Sequence, residues 1–425
     1  MVLVHEKRRL ERRLRWIIFL VFSAGWSFAV WHQGISLVLT GIVLLGAALL
    51  QAWNRSRIPV LAYHSVSDNA SWLTRPDLTI PSASFRRQMQ WLKRHGFSTL
   101  TMEELWSHRN YGTDPNNFIV LTFDDGYLDN WVAVEPILRE AGLCGTIFIS
   151  TDWIEDGQQC RPQSGQVPDH ELSWAGYLNP AEIRAMAERG VLDVQSHGAS
   201  HDLVFCNDRI SGFTSSDDQP QWLALLLNEK KPAWYKQPMR LPAGYPLFPN
   251  GNALAVSAFY PDPNLVDKLT AAPADSSVIN DADRQQRLRE AADSFEADHG
   301  SLGHMETKAE THNRWRKELE DSKQTLERIS EKEVAHLCWP RDAYCKESQQ
   351  IAFSVGYHSV TAHDGLNSDH NPNMVSRVYI DGCGIPWLDI TAFVLHIWVF
   401  RGRIWAWPAL VLASTAIQLL WRRKK

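Results

Sequence analysis

The pattern of hydrophobic and polar positions divides the 425-residue chain into a long middle region and two apolar ends. Residues Trp16 to Ala52 and Ile404 to Leu420 contain no Asp, Glu, Lys or Arg. Between these segments, short apolar runs alternate with stretches of helical periodicity. Such alternation predicts an α/β fold with a mainly parallel sheet or barrel.

The middle region gives its strongest signal at Phe118 to Phe123, a continuous apolar run typical of a buried parallel strand. The pattern predicts further strands at 59–63, 146–149, 191–195, 334–339 and 358–362. It predicts helices at 84–95, 131–141, 180–189, 315–329 and 348–355. Residues 58–384 are therefore predicted to form one domain.

One long segment interrupts this alternation. Leu203 to about Glu310 is rich in Pro, Asp and Ser and shows few clean periods. A loop of this length inside a compact domain is usually functional or disordered. We predict an insertion over about 203–310 that is partly ordered and lies near the functional site; the alternative is a loop with no role.

The two ends predict membrane segments, at 1–57 and 385–425. A helix over Trp16 to Ala52 would be about 55 Å long, against about 30 Å of hydrocarbon, so a hairpin of two spans fits better than one. At the other end, Ile404 to Leu420 is a candidate span, and Trp387 to Phe400 is either a second span or a helix in the membrane interface. The sequence thus predicts a multi-pass protein of the inner (cell) membrane.

Basic residues crowd both termini, which places both chain ends in the cytoplasm by the positive-inside rule. Two spans at each end would put the middle domain on the cytoplasmic face, which the length argument favours. One span at each end would put it outside.

Overall charge gives no reason to expect nucleic acid as a partner. The chain has 43 basic and 48 acidic side chains, a formal net charge of -5. Its six cysteines include no CxxC pair and are sparse for a disulfide scaffold. The sequence does not indicate protein partners.

Candidate chemistry begins where the strand Phe118 to Phe123 ends, at Asp124-Asp125-Gly126. Two adjacent carboxylates disfavour each other's ionisation, and a bound cation removes that penalty. Gly126 permits a sharp turn that would aim both side chains into a crevice. The alternative is a turn whose Asp residues cap the next helix.

A second segment, Ser196-His197-Gly198-Ala199-Ser200-His201, follows another predicted strand. Two histidines four residues apart can bind one ion, although by themselves they could equally be surface residues. Both segments lie at carboxyl ends of strands, where α/β folds bind ligands. Together they predict a divalent-metal site.

These segments resemble the polysaccharide deacetylase family, the NodB-homology or carbohydrate esterase family 4 group. Thr122 to Gly126 matches its first motif, TFDDG, and His197 to His201 matches its second, H-[ST]-x-x-H, with Gly198 in place of Ser or Thr. The resemblance covers roughly residues 58 to 380, less the insertion. It implies a NodB-like distorted (β/α) barrel, here with a long insertion and flanking transmembrane segments.

The third motif departs from the family. Cys338 to Tyr344 occupies the place of a YPYG-like segment, but Arg341 and Asp342 replace Tyr and Gly. Arg240-Leu241-Pro242 looks like the R-x-P motif of another branch, although it lies inside the insertion. In the branch of poly-N-acetylglucosamine deacetylases, a histidine on the first strand is the general acid, and His64 matches that position.

By this resemblance, Asp124 is the catalytic base, His64 the acid, and Asp125, His197 and His201 the metal ligands. Mixed nitrogen and oxygen ligands suit Zn, and also Co, Ni or Fe. The implied reaction removes an N-acetyl group from an amino sugar of a membrane-linked or lipid-linked envelope polysaccharide. The alternatives are a deformylase or O-deacetylase of a similar glycan, or a non-catalytic glycan-binding membrane subunit.

Overall fold

A computed structural model describes residues 58–73, 75–111, 117–215, 231–236, 240–271, 281–362, 373–401 and 406–422. The N-terminal segment 1–57, for which a membrane hairpin is predicted, lies outside these residues.

A nine-stranded parallel sheet forms the centre of the molecule. Its strands are β1 Val60–Tyr63, β2 Ser98–Leu100, β3 Phe118–Phe123, β4 Gly145–Ile149, β5 Leu192–Ser196, β6 His336–Leu337, β7 Ser359–Ala362, β8 Met374–Ser376 and β9 Val378–Tyr379. The order across the sheet is β8-β7-β6-β5-β4-β3-β1-β9, and β2 also pairs with β3. The predicted parallel barrel is confirmed.

The barrel is nearly closed by a single short segment of chain. Strand β8 pairs with β7 at one edge of the sheet, and β9 pairs with β1 at the other. Only Arg377 separates β8 from β9, so the two edges of the sheet meet at this residue. Closure leaves no long free edge, and the side chains of the central strands Phe118–Phe123 and Gly145–Ile149 are almost all buried.

Helices lie around the sheet and in the segment predicted as an insertion, and the last helix packs on its neighbour. They are α1 Ser82–Arg94, α2 Met102–Tyr111, α3 Glu135–Ala141, α4 Pro180–Arg189, α5 Pro263–Thr270, α6 Asp281–His299, α7 Lys308–Ser330, α8 Lys346–Val355, α9 Pro386–Phe400 and α10 Trp407–Arg422. A π-helical turn, Asn130–Val134, leads directly into α3. The predicted start of α4 is observed as a capping box, in which Asn179 and Glu182 bond each other's backbone N–H groups.

The segment predicted as an insertion contains a second apolar core. Antiparallel ladders pair Leu203–Phe205 with Asn250–Asn252, Gly212–Phe213 with Pro246–Leu247, and Phe259–Pro261 with Gly303–Met305. Helices α5 and α6 pack on these ladders through buried Leu265 and Phe295. The ladders are short and the apolar spacing is irregular, so the sequence shows no clear period here.

Helix α7 joins the insertion to the barrel. The guanidinium of Arg314 donates to the backbone carbonyls of Ala253 (2.6 Å) and Val256 (2.9 Å), and the indole of Trp315 also donates to Ala253 (2.7 Å). As a result, Leu254 of the insertion packs within the main core of the barrel.

The C-terminal apolar segments form two short helices. Helix α9 has 15 residues and α10 has 16, which correspond to about 22 and 24 Å of length, whereas a bilayer core of about 30 Å requires about 20 residues. None of the helices in the described part of the chain is both long and apolar enough to cross a membrane. The predicted C-terminal spans, and with them the multi-pass inner-membrane placement, are therefore wrong for this part of the chain.

The apolar surface of α9 is instead buried against the barrel. Phe393 is fully buried and meets Trp91 of α1 edge to face, at 6.1 Å between ring centroids. The carboxylate of Asp389 accepts from the hydroxyl of Ser84 (2.7 Å) and from the backbone N–H groups of Cys383 (2.9 Å) and Gly384 (3.1 Å). Hydropathy alone does not distinguish such a core helix from a membrane span.

Phe393→Ala tests this packing. The substitution removes a buried ring, so we expect the free energy of unfolding to fall by about 3–5 kcal/mol. Trp387→Ala on the same helix is the control, because Trp387 is 67% exposed and its loss should cost less than about 0.5 kcal/mol. Urea unfolding measures both values. Equal losses in the two variants would contradict the burial of α9.

Candidate active site

The candidate residues follow the carboxyl ends of neighbouring strands. His64 follows β1, Asp124 follows β3, and His197 follows β5. Tyr63 lies opposite Phe123 in the sheet, so the next residues of these two strands, His64 and Asp124, are neighbours. Because all strands are parallel, these side chains share one rim of the barrel.

Asp125, His197 and His201 converge on one point. Oδ1 of Asp125 lies 3.2 Å from Nε2 of His197 and 3.4 Å from Nε2 of His201. That oxygen is buried and has no hydrogen-bond partner among the described residues. One carboxylate oxygen and two imidazole nitrogens within 4.8 Å of one another match the donor set of a divalent cation such as Zn.

The protonation states of Asp125 and His201 suit metal binding. Burial opposes the ionisation of Asp125, but His197, His201 and His64 outweigh it and hold the pKa of Asp125 well below its usual range. Burial lowers the pKa of His201 to about 4. An ionised carboxylate and a neutral imidazole are the forms that bind a metal ion.

The backbone around His197 orients its ring. Cys338 follows β6, whose Leu337 lies opposite Ser196 in the sheet. Nδ1 of His197 donates to the carbonyl of Cys338 at 2.9 Å, so Nε2 is the ring nitrogen that faces Asp125. A hydrogen bond of this kind fixes the tautomer of a metal-ligating histidine.

The loop from His197 to His201 has a physical reason for its glycine. Gly198 adopts φ +75°, a conformation that side chains rarely adopt, and an added Cβ would approach Leu254 of the insertion to 3.3 Å. The Ser or Thr of the related motif is therefore disfavoured here.

Helix α7 holds this loop from outside. The carboxylate of Glu318 accepts from the backbone N–H (3.2 Å) and the hydroxyl (2.8 Å) of Ser200. The buried hydroxyl of Ser322 donates to the carbonyl of Gly198 at 2.9 Å. These hydroxyl and carboxylate groups come from a helix more than a hundred residues further along the chain.

Asp124 is held by a buried arginine. Arg377 donates to both oxygens of Asp124, at 2.7 and 2.8 Å, and also to the hydroxyls of Thr122 and Tyr379, each at 3.2 Å. Asp124, His197 and Cys338 form a second group of possible ligands. Because Arg377 occupies both oxygens of Asp124, the group with Asp125 fits a cation better.

His64 lies beside Asp124 at the edge of the cleft. Its Nε2 is 4.0 Å from Oδ2 of Asp124, and 16% of the side chain is exposed. The imidazole stacks on Tyr379, with 5.6 Å between ring centroids. The ring is therefore positioned by packing and remains accessible from the cleft.

A cleft of about 460 Å³ is lined by His64, Asp124, Asp125, His197 and His201. Trp153 and Tyr177 form part of its wall, and Trp234 reaches it from the insertion. Arg341 and Asp342, in the segment that departs from the third motif, also line the cleft. This volume lies within the range that is typical of small-molecule binding sites.

The structure thus brings together all five residues predicted from the sequence. Their roles remain predictions. Sequence reasoning missed Arg377, the partner of Asp124; it considered Arg240 only as part of an R-x-P motif. The available signal was a lone arginine inside the otherwise uncharged run Met374 to Tyr379.

Comparison with known proteins confirms the resemblance to polysaccharide deacetylases. Residues 111–240 match the model of the family described as polysaccharide deacetylase. YxkH of Bacillus subtilis (strain 168), named as a polysaccharide deacetylase, is 29% identical over 156 residues, which are 36% of this chain and 47% of that protein. The poly-beta-1,6-N-acetyl-D-glucosamine N-deacetylase of Escherichia coli (strain K12) is 29% identical over 149 residues, 35% of this chain and 21% of that protein.

The matches thus span less than half of either curated relative. Among solved structures, a de-N-acetylase from Aggregatibacter actinomycetemcomitans aligns with a TM-score of 0.49 and 19% identity, covering 77% of this chain and 95% of that one.

Glu318 offers a test of how the loop is positioned. Glu318→Ala removes the acceptor of both Ser200 bonds, so we expect affinity for Co²⁺ to fall about 10- to 100-fold, as for other residues that orient metal ligands. Glu318→Gln keeps an acceptor oxygen and should retain most of the affinity. A Co²⁺ titration, monitored by the absorption of the bound ion, measures the affinity of both variants.

Glu320→Ala is the matched control, because Glu320 lies on the same helix and pairs with Arg316 at the surface. Unchanged Co²⁺ affinity in a folded Glu318→Ala protein would show that the helix does not position the loop.

Proposed function

From the polysaccharide deacetylase match of residues 111–240, we propose that this protein is a metal-dependent hydrolase that removes the N-acetyl group from an amino sugar of a polysaccharide. The observation that carries the proposal is the convergence of Asp125, His197 and His201 beside a second carboxylate, Asp124. The name of the Escherichia coli relative supports an acetylated glucosamine as the sugar.

Asp125, His197 and His201 would hold the metal. A divalent cation supplies a Lewis acid for the acetamide carbonyl and lowers the pKa of water from 15.7 towards about 7. Each of the three side chains presents one donor atom, which leaves room for water and substrate.

Asp124 is the proposed general base. Both of its oxygens are bound by Arg377, so the carboxylate cannot rotate away from the cleft. A carboxylate oxygen retains further lone pairs and can accept a proton from the attacking water. Arg377 therefore acts on the reaction by positioning Asp124.

His64 is the proposed general acid. An amine leaves a tetrahedral intermediate poorly unless it is protonated, and histidine is the side chain that changes its charge near neutral pH. The position of His64 beside Asp124, with its ring accessible from the cleft, supports this role.

Acetate release from a β-1,6-linked N-acetylglucosamine oligomer tests the proposed function. Wild type should release acetate, lose this activity with EDTA, and regain it with Zn²⁺ or Co²⁺. Parallel N-formyl and O-acetyl substrates distinguish a deformylase or O-deacetylase. Binding of all three substrates without any hydrolysis would favour the non-catalytic alternative.

Asp124→Asn and His197→Ala separate the base from the metal ligands. Asp124→Asn should retain metal and lose about 10²- to 10⁴-fold in rate, because general base catalysis is lost. His197→Ala should lose bound metal itself. Metal content, rate and thermal unfolding are measured together, since Asn also removes the counter-charge of buried Arg377. Near-normal turnover by Asp124→Asn would exclude it as the base.

His64→Ala should bind metal and substrate normally and lose turnover. An acid acts in its protonated form, so the wild-type rate should fall on the alkaline side, and this alkaline limb should be absent in the variant. A pH–rate profile measures it. If the variant kept both its rate and the limb, the acid would be another residue; the next candidate, His363, lies outside the described residues.

A further inference from the structure

We propose that Arg341 binds an anionic group of the substrate, so that the protein prefers an acetylated glycan with a negative charge near the scissile acetamide. This inference rests on the proposed function and adds the substrate class. The group would be a carboxylate or a phosphate ester, both of which match the planar guanidinium with two parallel hydrogen bonds.

Arg341 lies in the cleft on a firmly held turn, Pro340–Asp342. On one side, Asn252 of the insertion donates to the carbonyl of Pro340 at 2.8 Å. On the other, the hydroxyl of Tyr379 donates to the carboxylate of Asp342 at 2.6 Å. The backbone that carries Arg341 is thus fixed at both ends.

The turn is also strained. Arg341 has φ 56° and Asp342 has φ 53°, in the left-handed region that favours glycine. A non-glycine residue is strained in this region, and such residues cluster at functional sites. The surrounding contacts hold Arg341 in a conformation that it would not adopt by itself.

The guanidinium itself forms neither an ion pair nor a hydrogen bond within the described part of the chain, although the charge of Asp125 acts on it from a distance. The other arginine of the cleft wall, Arg75, pairs with Asp77 through two of its nitrogens. Partial burial, together with the charge of Arg75, lowers the pKa of Arg341, whereas Asp125 opposes this effect. A cation bound at Asp125 would neutralise that opposing charge.

Apart from Asp125, the acidic groups of the cleft are engaged by other side chains. Asp124 is bound by Arg377, and Asp342 by Tyr379 and Arg377. Burial raises the pKa of Asp381, whose charge interacts with His64 and Asp77. Because arginine does not lose its proton in proteins, a cation bound at Asp125 would leave a ligand as the source of a counter-charge for Arg341.

The test compares three acetylated tetrasaccharide probes on the full chain loaded with Zn²⁺. One is a neutral N-acetylglucosamine tetramer, one alternates N-acetylglucosamine with glucuronate, and one is the neutral tetramer carrying a phosphate ester. Acetate release gives kcat/KM for each probe, and calorimetry gives its binding separately. The two charged probes distinguish a carboxylate from a phosphate.

Wild type should cleave at least one charged probe with kcat/KM about 10-fold or more above the neutral probe. Arg341→Ala should lose about 10- to 100-fold on that charged probe, the range for a hydrogen bond between charged groups, and should lose much less on the neutral probe. Arg341→Lys should recover part of the preference. Arg316→Ala, which removes one surface charge on α7, is the matched control and should leave the preference unchanged.

The outcomes separate this inference from the proposed function. Acetate release without a preference for charge, or with equal losses on all probes in Arg341→Ala, would overturn the inference alone. Arg341-dependent binding of a charged probe without acetate release from any probe would overturn the proposed function and support the binding site. Neither binding nor release would overturn both.

Discussion

The buried pair of Arg377 and Asp124 is the interaction on which the rest of the site depends. Arg377 is 4% exposed and Asp124 is 1% exposed, so neither charge can be satisfied by water. Removing one partner from such a pair typically costs about 3–5 kcal/mol, because the other charge is left uncompensated. The pair also joins β3 to the segment between β8 and β9, where the two edges of the barrel meet. One ion pair therefore links closure of the barrel to the orientation of the proposed base.

Parallel strand register accounts for much of the remaining geometry. The register of β1 against β3 places His64 beside Asp124, and that of β5 against β6 places the carbonyl of Cys338 beside the ring of His197. Neither placement depends on the conformation of a loop, because each follows from two residues that lie opposite each other in adjacent strands. The loop from His197 to His201 is different, because its two positive-φ residues, Gly198 and His201, need outside support. Helix α7 provides that support through Glu318 and Ser322.

The parts of this site that could be predicted from the sequence are those with local signals. The run Phe118 to Phe123 is a strand with the predicted bounds, and the acidic and histidine segments follow strands as expected. Arg377 had no such signal: it lies 253 residues from Asp124, between strands of three and two residues. At the C-terminal end the error was the opposite one, because a strong local signal predicted membrane spans that the described helices do not form. Hydropathy measures how apolar α9 is, whereas only the tertiary structure shows that Phe393 and Asp389 are buried against α1.

The two departures from the related motifs are connected through the insertion. Gly198 replaces a hydroxyl-bearing residue where Leu254 approaches, and Arg341 replaces an aromatic residue on a turn that Asn252 holds. Leu254 and Asn252 are two residues apart, and Arg314 and Trp315 of α7 tie the same segment to the barrel through Ala253. The insertion therefore contacts both altered loops with one short segment. A change in that segment would alter the loop from His197 to His201 and the position of the Arg341 charge together, which makes the insertion part of the site that it adjoins.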